Sequence, residues 1–315
     1  MVNLKKIIAD AHADTLEYIY NNKIDFDNRK LSFNLTDIKD NMPYLQLIAC
    51  FVRDKYMGNG FQRINNILDY YYTQEKKFNQ LYRINNKNDI NIIRENNKIG
   101  VLLTAENGVC LDGDIDNIYK LYNNGIKVIT ITWNYDNELG CGNLTSNDFG
   151  ITSFGKKCIQ TMNNINMIVD VSHSSTKTFC DIMNATNKPV IASHSNVYSL
   201  CRNSRNLTDM QIKEIAKSNG IIGIAYYNKF LTDNKQANIN DIVNHIEYIV
   251  NLVGIDYVCL GSDFDGINKK DLPENLKGVK DINKLKECLL YRRFSTNEIE
   301  KIMGENLVRF IQSNI

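Results

Sequence analysis

The sequence predicts an α/β fold, a (β/α)8 TIM-like barrel in a single domain spanning residues 1–315. Three observations point there. Eight short runs rich in Val and Ile recur along the chain, helical patterns lie between most of them, and no G-x-G-x-x-G follows the first. Runs that are continuous rather than alternating suit strands covered on both faces, as in a parallel sheet. Repeated strand–helix alternation favours closure into a barrel. The missing glycine fingerprint removes the commonest reason to prefer an open doubly wound sheet. At about 150 residues per domain the length alone would suggest two domains, yet one α/β barrel routinely fills it. Neither an internal repeat nor a linker rich in Gly, Ser or Pro divides the chain.

The expected strands are residues 6–11, 45–52, 99–104, 128–132, 167–171, 189–192, 221–225 and 257–260. Helical patterns at 115–123, 153–164 and 176–186 separate or follow the middle runs. A helix over 209–218 has Thr208 as its N-cap, because a side-chain oxygen there can accept an otherwise orphaned N–H. A helix over 240–253 is closed by Gly254. Helices over 283–290, 296–303 and 305–313 follow the last strand. The two earliest connections are long, and the aromatic-rich stretch 61–84, with Tyr70, Tyr71 and Tyr72, reads as extra helix packed on the barrel wall.

Composition narrows the function. Lys and Arg number 37 and Asp and Glu 36, a net charge of +1. That balance excludes a nucleic-acid binder working through bulk electrostatics and a polybasic membrane-surface protein. No apolar stretch approaches the roughly 18 residues of a membrane span, and the first apolar run is shorter than a signal-peptide core. The eight cysteines sit singly in hydrophobic segments with no C-x-x-C pair, as buried, reduced residues of a cytoplasmic protein do.

Four histidines remain, and three end expected strands: His12, His173 and His194. Those ends converge on the active-site face of a barrel. His12 and Asp14, two apart on a strand, point to one side. Glu106 follows the third run, and Asp263 and Asp265 follow the eighth. Imidazole nitrogens with carboxylate oxygens suit zinc or a similar divalent ion. The set is too large for one catalytic zinc with an open position, and it matches two ions sharing a carboxylate. The division expected is His12 and Asp14 on one ion, His173 and His194 on the other, and Glu106 bridging. Asp263 then carries the proton, and Asp265 caps or orients its loop. His245, with Asn244 and Glu247 nearby, reads as an exposed helix residue.

The segments Asp10-Ala11-His12-Ala13-Asp14, Ala105-Glu106-Asn107-Gly108, Asp170-Val171-Ser172-His173 and Ser193-His194-Ser195 together resemble the membrane (renal) dipeptidase family of zinc peptidases. The resemblance continues through Tyr198-Ser199-Leu200-Cys201, Ser204-Arg205-Asn206, Gly261-Ser262-Asp263-Phe264-Asp265-Gly266 and Gly304-Glu305-Asn306-Leu307-Val308-Arg309-Phe310, covering nearly the whole chain. It implies a barrel with two Zn2+ per chain on His12, Asp14, Glu106, His173 and His194. It implies that Asp263 handles the proton and that Arg205 binds the substrate's C-terminal carboxylate, with Tyr227 helping at that end. The implied reaction is hydrolysis of a dipeptide by a metal-bridging hydroxide, with a homodimer as the family expectation; the cytoplasmic expectation rests instead on the reduced cysteines and the short first apolar run. One departure stands out. Many relatives carry a His after the fourth strand, where this chain has Thr132-Trp133-Asn134-Tyr135. Trp133 offers an N–H donor but no titratable nitrogen, and is expected to shape the pocket by bulk. Two rival readings remain: a zinc amidohydrolase acting on N-acyl amino acids or small lactams, and a metal- or peptide-binding barrel without catalysis.

Overall fold

The structure, a computed structural model, describes residues 5–38, 42–234 and 236–315. Among them, nine parallel strands form one sheet. They are β1 (Ile8–Ala13), β2 (Tyr44–Phe51), β3 (Leu81–Arg83), β4 (Ile99–Glu106), β5 (Ile126–Thr130), β6 (Ile168–Asp170), β7 (Ile191–Ala192), β8 (Ile221–Ile224) and β9 (Val258–Leu260). The order runs β2-β1-β9-β8-β7-β6-β5-β4-β3, and a β2–β4 pairing closes eight of them into a barrel surrounded by helices. β3 is the addition that the sequence reading missed. It pairs with Ile99 to Val101 of β4, and β5 takes that strand's later residues from Leu103 onward. The stretch 61–84 is therefore helix only over Gly60–Lys77, with Tyr71 buried and Tyr70 and Tyr72 packed at the core's edge.

Side chains alternate across each strand. Ala9, Leu45, Leu47, Leu102, Val128, Ile168, Ile191, Ile221 and Cys259 meet as one cluster drawn from all eight barrel strands. Leu307, Phe310 and Ile311 from the last helix join that cluster. The opposite faces pack under the surrounding helices in a second, larger cluster. Thr208 caps the helix Asp209–Lys217 as expected, its hydroxyl accepting from Gln211 N–H.

Two expectations need correction. Residues 296–303 and 305–313 are not separate helices. Helix Thr296–Glu300 runs through a π-helical turn, Lys301–Glu305, straight into helix Asn306–Asn314. The turn brings Gly304 against β1 so closely that a Cβ would collide with the Ile7 carbonyl. His245 is not exposed: it is 1% accessible. It shares the buried face of helix Ile239–Val253 with Ile242, Ile246 and Ile249, at helical spacing. Its Nδ1 accepts from Val197 N–H at 3.0 Å and its Nε2 donates to the Leu231 carbonyl at 3.0 Å. All eight cysteines are free, and only Cys180 and Cys288 are less than buried. Among the described residues, no helix is long and apolar enough to cross a membrane.

Candidate metal centre

The expected site residues gather at the C-terminal ends of the barrel strands. His12 lies in β1, where pairing with β2 is irregular between Asp10 and Ala13, and Asp14 follows it. Glu106 ends β4, and His173, His194 and Asp263 lie just beyond β6, β7 and β9. Three residues here bend the chain into the left-handed region: His173 (φ 65°), Asp263 (φ 61°) and Asp265 (φ 66°). Such backbone is costly for non-glycine residues and is held by its surroundings. Asp265 supplies part of that hold, accepting from Thr15 Oγ1 at 2.6 Å, Ser32 N–H at 2.6 Å and Phe33 N–H at 3.2 Å.

Potential ligand atoms of His12, Asp14 and Glu106 lie within 4.8 Å of one another, and so do those of Glu106, His173 and His194. Glu106 is common to both groups. One carboxylate oxygen is 3.3 Å from His12 Nε2 and the other 3.3 Å from His173 Nε2. A third group, His12, His194 and Asp263, meets the same limit, with Asp263 Oδ1 3.8 Å from His12 Nε2. All five expected ligands and Asp263 are thus brought together.

The donor set fits a cation. His12 Nε2, Asp14 Oδ1 and Glu106 Oε2 are buried without a hydrogen bond. Asn134 Oδ1 lies 2.9 Å from His173 Nδ1 and can only accept, so the ring proton sits on Nδ1 and Nε2 presents its lone pair. That lone pair faces His194 Nε2 at 2.8 Å. Buried carboxylates and imidazole nitrogens gathered this closely are costly, and a divalent ion among them removes the cost.

The two sides of the cluster differ in charge. Burial disfavours a charged His12, but Asp14 and Glu106 outweigh it and hold this imidazole's pKa well above the ordinary value. Burial lowers His173 and His194 well below it, and the positive charges of Arg205 and His12 add to that. Burial pushes Glu106 up to about 8 and Asp263 up to about 7, with Asp14 adding repulsion in both.

Above the cluster is a cavity of about 230 Å³, walled by Phe51, Trp133, Asn134, Tyr227, Phe230 and Asp271. Trp133 sits with its ring centre 5.1 Å from Phe51 and 6.2 Å from His173. Tyr227 meets Phe230 edge-on at 4.7 Å. Arg205 is not in this wall. It lines an adjoining cavity of about 460 Å³ that shares His173 with the first. It is buried, with Nη2 donating to the His194 carbonyl at 3.0 Å and its guanidinium 5.3 Å from the Phe230 ring centre. Burial brings it down to about 10, so it stays charged near neutral pH.

Sequence reading missed the residues behind the candidate ligands. Asp10 Oδ1 accepts from His12 N–H at 3.1 Å and Ser262 N–H at 2.9 Å. Asp170 Oδ1 accepts from Ser172 N–H at 3.0 Å and Ser193 N–H at 3.1 Å. Asn134 backs His173, and Ser193 backs His194. The signal was present for the aspartates, since Asp10 and Asp170 stand two and three residues before strand-end histidines. For Asn134 there was none, because its partner lies 39 residues away.

Residues 1–314 match the family model described as membrane dipeptidase (peptidase family M19). The chain is 34% identical over 226 residues to an uncharacterized dipeptidase of Schizosaccharomyces pombe, covering 69% of this chain and 53% of that protein. It therefore spans about half the length of that curated relative. It is 32% identical over 237 residues to an uncharacterized protein from the region 5′ of pqqA in Klebsiella pneumoniae, covering 71% of this chain and 86% of that one. In fold it is similar to a metallo peptidase of Rhodobacter sphaeroides solved with a phosphinate mimic of the dipeptide L-Ala-D-Ala. The TM-score there is 0.91 at 18% identity, over 99% of this chain and 100% of that one.

Proposed function

This chain belongs to the membrane dipeptidase family, and from that premise we propose that it is a dinuclear zinc dipeptidase. The observation that carries the reading is Glu106, whose two oxygens each stand 3.3 Å from a histidine of a different group. One carboxylate placed that way would join two ion sites, with His12 and Asp14 holding one ion and His173 and His194 the other. Two zinc ions held there would supply Lewis acidity at the scissile carbonyl and a water acidified to near-neutral pKa.

The chain's own residues do the rest. Asp263, beside the cluster with Oδ1 3.8 Å from His12 Nε2, is placed to take a proton from the attacking water and return it to the leaving amine. Its backbone N–H donates to the His12 carbonyl at 3.1 Å, which ties the loop bearing this carboxylate to β1 beside the cluster. Arg205 reads the C-terminal carboxylate of the substrate, its fixed charge and fork of donors suiting that group. Trp133 and Tyr227 narrow the mouth and offer an N–H and a hydroxyl. The narrow cavity favours short substrates.

A second reading is favoured by one observation: Arg205 stands outside the cavity over Glu106, and Trp133 rather than a histidine lines it. The same floor would then serve an amidohydrolase of N-acyl amino acids or small lactams. A hydrolysis screen of L,L-, L,D-, C-amidated and N-acylated dipeptides with added zinc separates the two. A carboxylate facing a guanidinium gains about 1.5–3 kcal/mol, so amidation should cost on the order of 10–100-fold in kcat/KM. Equal cleavage of free and amidated dipeptides would remove Arg205 from its role and put the acyl-hydrolase reading ahead.

A further inference from the structure

The hydroxyl of Ser193 lies between histidines of the two half-sites. Its Oγ is 2.6 Å from Asp170 Oδ2, 2.8 Å from His194 Nδ1 and 3.4 Å from His12 Nδ1. A serine hydroxyl has one proton and two acceptor lone pairs. Asp170 takes the proton: that carboxylate already accepts Thr130 Oγ1 at 2.8 Å and two backbone N–H groups, and offers only lone pairs. Ser172 Oγ, at 3.3 Å, is a more distant competitor and itself accepts the His194 backbone N–H. Ser193 can then only accept from the two rings. Both must present Nδ1–H to it, so that with a cation in place of the second proton of His12 both Nε2 lone pairs face Glu106, Asp14 and His173.

We propose that Ser193 is a shared positioning residue, one hydroxyl oriented by Asp170 that fixes the ring and tautomer of a histidine in each half-site. The inference rests on the two-ion reading of the site. His173 stands apart from this arrangement, because Asn134 holds it separately. The two half-sites are therefore linked twice, by Glu106 in front of the imidazoles and by Ser193 behind them.

The test uses zinc-loaded protein, with the imidazole Nδ1–H resonances observed by NMR and both zinc dissociation constants measured by chelator competition. Ser193→Ala should shift or expose to exchange the His12 and His194 resonances and leave that of His173 in place. Asn134→Ala should do the reverse. Ser193→Ala should weaken both ions by about 10–100-fold, the usual cost of losing the outer partner of a metal-bound histidine, and Asn134→Ala only one of them. Ser193→Cys, a weaker donor and acceptor, should give the same pattern at smaller amplitude. If Ser193→Ala moves one resonance only, the sharing is wrong. If it moves neither resonance nor constant, Ser193 positions nothing. A protein that takes up a single ion while Ser193→Ala still moves both resonances would overturn the two-ion reading and leave the role of Ser193 standing.

Discussion

His12 and the pair His173–His194 are the same residue type at the ends of barrel strands, yet they sit in opposite fields. Around His12 stand Asp14, Glu106 and Asp263, each within 3.8 Å of its Nε2. Behind His173 and His194 stands Arg205, and among the described residues no carboxylate but Glu106 lies within salt-bridge distance of either. One half of the cluster is rich in carboxylates and, without an ion, holds protons where a cation could sit. The other is neutral, offers two lone pairs and tolerates positive charge poorly. A pair of ions held here would be unequal: the His12 side offers charge compensation and the His173–His194 side offers mainly nitrogen ligation.

Glu106→Gln gives the largest effect, because it acts on both halves at once. We expect metal content to drop below two ions per chain by elemental analysis. Activity should fall by more than the roughly 10²–10⁴-fold that general acid–base catalysis is worth. Retention of two ions and of turnover would show that the halves are independent.

Asp263→Asn comes next and tests the boundary of the carboxylate-rich half. Turnover should fall about 10²–10⁴-fold with metal content nearly unchanged, if this carboxylate only moves the proton. Its place in a potential ligand group with His12 and His194 makes the alternative concrete. Loss of metal in step with activity would make Asp263 a ligand.

Stability against pH sharpens the comparison further. In metal-free protein burial raises Glu106 to about 8 and Asp263 to about 7, against ordinary values of 4.5 and 3.8. The stability lent by their protonated forms is present below the ordinary values and is lost as pH rises through 7 and 8. His12, raised by its carboxylates against the opposing effect of burial, acts in the same direction above 6.5. His173 and His194, lowered by burial, act oppositely, but only as pH falls below 6.5. Between about pH 7 and 8 Glu106 and Asp263 contribute a falling slope. The metal-free Tm should fall across that window, and zinc should raise and flatten it. A metal-free Tm that rises with pH there would contradict the assignment.

Trp133→His should have the smallest effect and touch only the neutral half. It should shift preference among dipeptides toward that of His-bearing relatives, without changing metal content.

Much of this was legible in the sequence because the barrel's strands are buried on both faces and therefore read as unbroken runs. Their ends then marked His12, Glu106, His173, His194 and Asp263 once a barrel was expected. What escaped has physical reasons. β3 has three residues, Leu81-Tyr82-Arg83, too few for any period to register. His245 was judged by its neighbours Asn244 and Glu247 instead of by Ile242, Ile246 and Ile249, the residues on its own helical face. The π-helical turn depends on the approach of Gly304 to Ile7, a contact between distant parts of the chain. Ser193 and Asn134 are polar residues whose roles depend on partners supplied by other strands.

That seat of Gly304 against Ile7 bears on how the molecule is assembled. β1 is gripped by β2 on one side, by β9 on the other and by the π-helical turn beneath. Two of those three partners come from the far end of the sequence, beyond residue 257. Contacts of such separation form late, because the entropy of closing the loop must be met before they return anything. The seam beside β1 is therefore expected to be the final one to zip. His12 and Asp14 ride on that strand, and His173 and His194 on the opposite arc. A barrel still open at that seam would hold the two half-sites too far apart for Glu106, on β4 between them, to serve both. Metal would then act as a latch on the finished ring, slowing its opening while giving little help to the intermediates that precede it.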